Sequence, residues 1–195
     1  MADRAAMKFF DEKTLTDWYA GKFNNISAYT APFAPLWSID RLPDLGPGTP
    51  NEPARSALAA LSLKSFPQIL DPAAAHGCIA GLWLFHDFLA ESHALSQEIS
   101  GGLGSYWHAL MHRREPDADN AKYWFRRVGS HPVLIQLQVQ APKLGYVYTD
   151  PYDFVDFVER VRGTGSADEA MAKRVQMLEW RLLFDWCFRQ AFPKE

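Results

Sequence analysis

Residues 71–100 read DPAAAHGCIAGLWLFHDFLAESHALSQEIS and form a long, helix-like segment. Asp71 followed by Pro72 is a typical helix start, because aspartate caps free backbone N–H groups and proline fits the first helical turn. Apolar residues then cover most of the helix circumference, which is typical of a helix buried at the centre of a protein. The pattern predicts one continuous central helix that ends near Ile99.

The segments around this central helix are also helical in pattern. A capping box at Ser166–Glu169 precedes a periodic apolar helix, and Asp150-Pro151 starts another helix. Residues 132–141 fit either a strand or a helix, and we favour a helix because the neighbouring segments are helical. These patterns predict an all-α protein.

Length and composition predict a single compact multi-helix domain over residues 1–195. The chain has 195 residues, of which 48% are hydrophobic, and this is enough for a buried core without disulfide bonds. We expect an N-terminal helix within residues 1–25, a Pro-rich segment at residues 30–55 and a helical body at residues 56–195. Six of the 13 prolines fall in the second segment. We therefore expect it to be irregular and to pack over the helices.

Composition and charge argue against several classes of protein. The net charge of −3 and the lack of a recognised binding motif argue against nucleic acid as a partner. No apolar run is long enough for a membrane span, and the charged N-terminus does not resemble a signal peptide. Cys78 and Cys187 stand in apolar surroundings typical of reduced core thiols. We expect a cytoplasmic protein with no nucleic-acid or membrane partner.

Histidines provide the main functional signal. All six lie within residues 76–131. In a continuous helix, His86 and His93 are seven residues apart and share one face. His108 and His112 are four residues apart on the next helix, so two imidazoles can reach one point. Because helices joined by a short turn tend to pack antiparallel, we expect these four side chains to converge.

Three chemistries fit four converging histidines. They can hold a transition metal ion, and Glu115, seven residues after His108, can add a carboxylate if the last turn bends it back from Pro116. They can perform acid–base catalysis without a metal, with Asp87 or Glu91 orienting an imidazole. They can also hydrogen-bond a polar ligand in an aromatic pocket.

A basic and aromatic block surrounds the second histidine pair. Arginines near aromatic rings can clamp a carboxylate or phosphate, although pairing with neighbouring acidic side chains is the alternative. Gly-Gly-Leu-Gly at residues 101–104 predicts a break in the helix, with Ser105 as the cap of the next one. Its free backbone N–H groups offer an anion site at the start of that helix. The candidate ligand-binding residues are His86, His93, Arg113, Arg114, Arg126, Tyr106, Trp107 and Trp124.

These signals predict an enzyme or binder of a small anionic metabolite, with a transition metal ion as candidate cofactor. His108 and His112 are the first candidates for metal ligands or acid–base groups, and Glu115 is a further catalytic candidate. His86 and His93 would complete the metal set. Two alternatives stay open: a non-catalytic helical module that binds another protein, and a purely structural network of histidines.

Parts of the sequence resemble a family of uncharacterised helical proteins. HDFLAESHALSQ at residues 86–97 and YWHALMHRREPDADNAKYWFRRVG at residues 106–129 match the family motifs HDFL..SH..SQ and YWH..MHRREPD..NAKYWFRRVG. EWRLLFDWC at residues 179–187 adds to the resemblance. The resemblance implies a helical fold with this region as a recurring unit, and it carries over no activity, cofactor or substrate.

Overall fold

The computed structural model describes residues 33, 36 and 41–193. Residues 1–40 and 41–195 are two compact units. In the first unit, the N–H of Leu36 donates a hydrogen bond to the carbonyl of Phe33 at 2.9 Å, and both side chains are buried. The helix predicted within residues 1–25 lies outside the described residues, and the single domain over the whole chain stays a prediction.

Every regular element between residues 41 and 193 is helical, which confirms the prediction of an all-α protein. Two short 3₁₀ helices span Leu63–Ser65 and Ala141–Leu144. The α-helices are α1 (Glu52–Ala60), α2 (Pro72–Phe85), α3 (Leu89–Glu98), α4 (Gly101–Arg114), α5 (Ala118–Val128), α6 (Pro132–Gln140), α7 (Pro151–Val161) and α8 (Ala167–Ala191).

Helices α2, α4 and α8 carry much of the core of this unit. α2 packs against α8 and α3, while α4 packs against α3 and α5. A buried ion pair joins α4 to α8, with Arg113 Nη1 2.7 Å from Glu179 Oε2 and neither side chain exposed. Since α3 and α5 both lie against α4, side chains from all three helices can meet on one side of α4.

Side-chain caps begin several of these helices at the predicted places. Asp71 accepts hydrogen bonds from the N–H groups of Ala73 and Ala74 at the start of α2. Ser166 accepts one from Glu169 at the start of α8. Residues 132–141 form a helix as we favoured, because His131 caps α6 and neighbouring helices supply no strand to pair with.

The prediction of one continuous central helix over residues 72–99 is wrong. α2 ends at Phe85 and α3 begins at Leu89. Between them Asp87 has a φ of 63°, in the left-handed region that non-glycine residues rarely adopt. Its buried carboxylate pairs with Arg41 and Arg114, and these ion pairs hold the break. His86 and His93 therefore belong to different helices, and their seven-residue spacing does not place them on one face.

The Gly-rich segment also differs from expectation, because it is helical. α4 begins at Gly101, with Ser100 as its N-cap residue, rather than after Ser105. A Cβ atom on Gly102 would lie 2.7 Å from the carbonyl oxygen of Val128 at the end of α5. Because Gly102 has no side chain, the first turn of α4 can lie close to the end of α5.

Residues 41–51 of the predicted Pro-rich segment have no regular secondary structure and pack over the helices, as predicted. Residues 52–55 were also expected to be irregular, but they form the start of α1, with a proline in its first turn. The guanidinium of Arg114 donates two hydrogen bonds to the carbonyl of Gly46, at 3.0 and 3.1 Å. Gln176 donates one to the carbonyl of Asp44 at 3.0 Å. These contacts replace the backbone hydrogen bonds that a segment rich in proline cannot make with itself.

None of the helices between residues 41 and 193 combines the length and the apolar character that crossing a lipid bilayer requires.

Candidate metal and ligand site

Three histidines meet where α3 packs against α4. Each of His93, His108 and His112 offers a ring nitrogen, and these three atoms lie within 4.8 Å of one another. His93 comes from α3, and the other two come from one face of α4. Only Ile99 and Ser100 separate the two helices, so the chain turns back at once and brings His93 to the other pair.

The three rings are in direct contact. The ring of His93 lies perpendicular to those of His108 and His112, with centroids 4.4 and 5.2 Å away. His108 and His112 stack on each other at 4.8 Å. Trp124 of α5 also stacks on His108, at 4.0 Å. The contacts with three neighbouring rings restrict the orientation of the His108 imidazole.

His108 is buried without a hydrogen-bond partner. Only 2% of His108 is exposed, and neither of its ring nitrogens is accessible to solvent. No hydrogen bond joins either nitrogen to any residue that the structure describes. Leaving a buried polar group unpaired costs about 1–3 kcal/mol. Because its described protein neighbours leave both nitrogens unpaired, an ordered water, a metal ion or another ligand can satisfy them.

Burial also keeps the two α4 histidines uncharged near neutral pH. It lowers the pKa of His108 to about 4, and the neighbouring His93 and His112 add to this shift. Burial lowers the pKa of His112 as well, against the opposing influence of Glu115. Neutral imidazole is the form that binds metal ions, because its nitrogen lone pair is free.

Glu115 orients His112 from outside the cluster. It ends α4 as the C-cap residue with φ −81° and ψ 13°, and this backbone turns its carboxylate back toward the helix. Its Oε2 atom lies 3.0 Å from His112 Nδ1. An Nδ1–H donated to this carboxylate leaves Nε2 as the acceptor nitrogen, and the amide nitrogen of Asn120 lies 3.1 Å from it. A ligand that binds Nε2 would replace this amide. Glu115 is thus a partner of His112 and not one of the three grouped side chains.

The cluster opens into a cavity of about 670 Å³, a size typical of small-molecule sites. Among the described residues that line it, none carries a carboxylate. Its lining residues are His93, Ser96, Gln97, Ile99, Gly101, Gly102, Gly104, Ser105, His108, His112, Asn120, Trp124 and Arg127.

His86, expected as the fourth converging histidine, lies apart from the other three. It caps the C-terminal end of α2 and is fully buried. The side-chain amide of Asn51 lies 2.9 Å from its Nδ1, and the Asn51 N–H donates to its carbonyl at 3.0 Å. The break at Asp87 explains this, because it turns α3 away from the line of α2.

The two arginines at the end of α4 also do not line the cavity. Arg113 pairs with Glu179 in the core, and Arg114 pairs with Asp87 and donates to Gly46. Both side chains are buried, because residues 41–51 and α8 cover this end of α4. Arg114 thus pairs with Asp87, between α2 and α3, whereas the partner of Arg113 is Glu179 on α8 and not an acidic residue near it in sequence.

Three further residues that we expected in the pocket lie elsewhere. Tyr106 donates a hydrogen bond from its hydroxyl to Glu179 at 3.0 Å, inside the core. Trp107 is fully buried against Gly81 of α2. Arg126 is exposed and lies 5.9 Å from the ring of Tyr123. α4 is buried on several sides, so only its histidine face reaches the cavity. Of the predicted aromatic residues, Trp124 does line it.

Several cavity residues escaped the sequence reasoning although their spacing signals them. Gln97 is four residues after His93, and its amide nitrogen lies 2.8 Å from Nδ1 of that histidine. Asn120 lies four residues before the predicted Trp124 and Arg127 three residues after it, which places both on the same face of α5 as Trp124. The Nδ2 atom of Asn120 lies 3.1 Å from His112 Nε2.

Comparison of the chain with protein-family models, with curated proteins and with solved structures gave no match. The resemblance to a family of helical proteins stays a prediction, and the function has to be argued from the geometry of the site.

Proposed function

We propose that this protein binds a first-row transition metal ion through His93, His108 and His112, and that the metal holds a small molecule in the adjoining cavity. The observation that carries the proposal is the buried imidazole of His108, which touches two other histidines and has no hydrogen-bond partner among the described residues. A metal ion shared by the three rings would satisfy it.

The set of ligands favours a metal with an open coordination position. Three protein ligands and one exchangeable position are typical of catalytic zinc sites, whereas structural zinc sites use four protein ligands. Imidazole also suits copper, nickel, cobalt and iron. Tetrahedral zinc with Zn–N bonds of 2.0–2.1 Å needs nitrogens about 3.3 Å apart. Ring movements of about 1 Å would bring the present separation of at most 4.8 Å to that value.

Metal uptake by untagged protein tests this proposal. We expect metal-free protein to bind about one equivalent of zinc or cobalt, measured by titration calorimetry and elemental analysis. His93→Gln and His112→Gln should each weaken binding by about tenfold or more, because each removes one of three ligands. His76→Gln is the matched control, since His76 lies on α2 outside the cavity, and it should bind like the wild type.

Uptake of less than about a tenth of an equivalent, with no further uptake on addition, would overturn the proposal. The competing function is a non-catalytic helical module that binds a partner protein and keeps its histidines for structure. It predicts that replacing both His108 and His112 by Ala lowers the thermal midpoint and that metals leave the midpoint of the wild type unchanged.

We also place the protein in the cytoplasm. Cys78 and Cys187 are both free and buried, which fits a reducing compartment. Fractionation of cells that produce the full chain tests this placement, and recovery with the membrane or secreted fraction would contradict it.

A further inference from the structure

We infer that the small molecule is an elongated anion, whose carboxylate or phosphate binds the first turn of α4 and Arg127 while a second polar group reaches the histidine cluster. This inference rests on the proposed function, because it names the class of ligand for the same cavity.

The first turn of α4 presents free hydrogen-bond donors to the cavity. Gly101 and Gly102 line it, and the Ser100 side chain makes no capping hydrogen bond. Among the described residues, no group accepts a hydrogen bond from the N–H groups of Gly101, Gly102 and Leu103. Free N–H groups and the helix dipole together favour an anion at this end of a 14-residue helix.

His108 is a second and independent sign that this cavity holds a ligand. It lines the same space, is 2% exposed, and has neither ring nitrogen paired with a described residue. The residues that carry the free backbone donors and the unpaired buried imidazole thus line one cavity. A ligand that filled it could satisfy both.

Arg127 adds a full positive charge at the same end of the cavity. It precedes Val128, whose carbonyl lies against Gly102, so the ends of α5 and α4 are adjacent. Its Nη1 donates to the Tyr123 hydroxyl at 2.9 Å, and its guanidinium lies 5.6 Å from the centre of the Trp124 ring. Within residues 41–193, no carboxylate forms an ion pair with it, and the partner of its Nη1 is the Tyr123 hydroxyl. These contacts hold the guanidinium while leaving its charge for a ligand.

The distance along α4 sets the length of the ligand. Gly102 and His108 are six residues apart, which corresponds to about 9 Å along a helix axis. A single phosphate or acetate ion is too short to reach both ends. A molecule with two polar ends would span them, and the cavity of about 670 Å³ has room for it.

Titration calorimetry with straight-chain dicarboxylates of increasing length tests the inference. It measures the affinity for each dicarboxylate, with acetate as the short reference. We expect the affinity of zinc-loaded wild type to rise until the two carboxylates are about 9 Å apart. In metal-free protein, we expect the affinity not to depend on the length of the dicarboxylate. Phosphate monoesters that carry a distal carboxylate form a parallel series, and the tighter series identifies the anionic group at α4.

Two variants test the site of the anion. Arg127→Gln should lower the affinity for the dicarboxylate that binds the wild type most tightly by about tenfold or more, because it removes a charge-assisted contact. Arg126→Gln is the matched control, since the neighbouring arginine lies outside the cavity, and it should bind like the wild type. Ser100→Asp should also weaken binding, because its carboxylate would cap the free N–H groups of α4.

Equal affinities of the Arg126→Gln and Arg127→Gln variants, or no binding by zinc-loaded wild type in either series, would overturn the inference and leave the metal site intact. Anion binding that depends on Arg127 in a protein that takes up no metal would support the anion site and refute the metal site.

Discussion

Glu115 determines which ring nitrogen of His112 carries the proton. Its carboxylate lies 3.0 Å from Nδ1, so the proton is held there, and Nε2 is left as the acceptor nitrogen, 3.1 Å from the Asn120 amide. The side chain is 54% exposed and contributes little to the core. Its effect on metal binding can therefore be separated from an effect on stability.

We predict that Glu115→Ala lowers zinc affinity by about tenfold, because histidines that bind metals lose 10- to 100-fold in affinity without such a partner. The thermal midpoint of the metal-free protein should stay unchanged. Asp119→Ala is the matched control, since it removes a nearby exposed carboxylate that does not contact His112. If both variants lose affinity equally, general charge and not orientation explains the effect.

Among the helices, the break between α2 and α3 depends on a single carboxylate. Asp87 is 4% exposed and pairs with both Arg41 and Arg114. Arg114 is itself buried, and burial lowers its pKa to about 10. Removing one partner of a buried ion pair is costly because it leaves the other charge unpaired.

Asp87→Gly is expected to lower the free energy of unfolding by about 3 kcal/mol, although glycine adopts the left-handed backbone more easily than aspartate. Urea unfolding monitored by circular dichroism measures this change. Asp156→Gly on α7 is a surface control for the loss of a carboxylate, since Asp156 pairs only with the partly exposed Lys122 among the described residues. A loss below about 0.5 kcal/mol for Asp87→Gly would show that backbone strain at Asp87 offsets its ion pairs.

At the scale of the whole molecule, His131 links stability to pH. Burial lowers its pKa to about 4, and its Nδ1 accepts a hydrogen bond from the Val133 N–H at the start of α6. The rings of Tyr106 and Trp186 pack against it. The folded protein keeps this imidazole neutral, while the unfolded chain protonates it near pH 6.5. Its contribution to stability is present above about pH 6.5 and is lost as the pH falls toward 4.

We predict that His131→Asn makes the free energy of unfolding less dependent on pH between about 6.5 and 4. Asparagine keeps a side-chain cap for α6 but does not titrate in this range. Urea unfolding at several pH values measures the slope, and His76→Asn is the control. Parallel slopes for wild type and His131→Asn would contradict the prediction.

The sequence by itself determined the features that depend on neighbours along the chain. Helix caps such as Asp71 and Ser166 act within three residues, so their signals can be read directly. The spacing of His108 and His112 fixes their common face once α4 is helical. Periodicity and capping therefore predicted the all-α fold and two members of the histidine cluster.

Only the tertiary structure decided which other residues join the cluster. The helix break at Asp87 depends on Arg41 and Arg114, which are 46 and 27 residues away in sequence. The rotation of α4 buries Arg113 and Tyr106 against Glu179, more than 60 residues away. Such contacts arise from packing between distant segments, and the local pattern does not encode which face of a buried helix meets which partner.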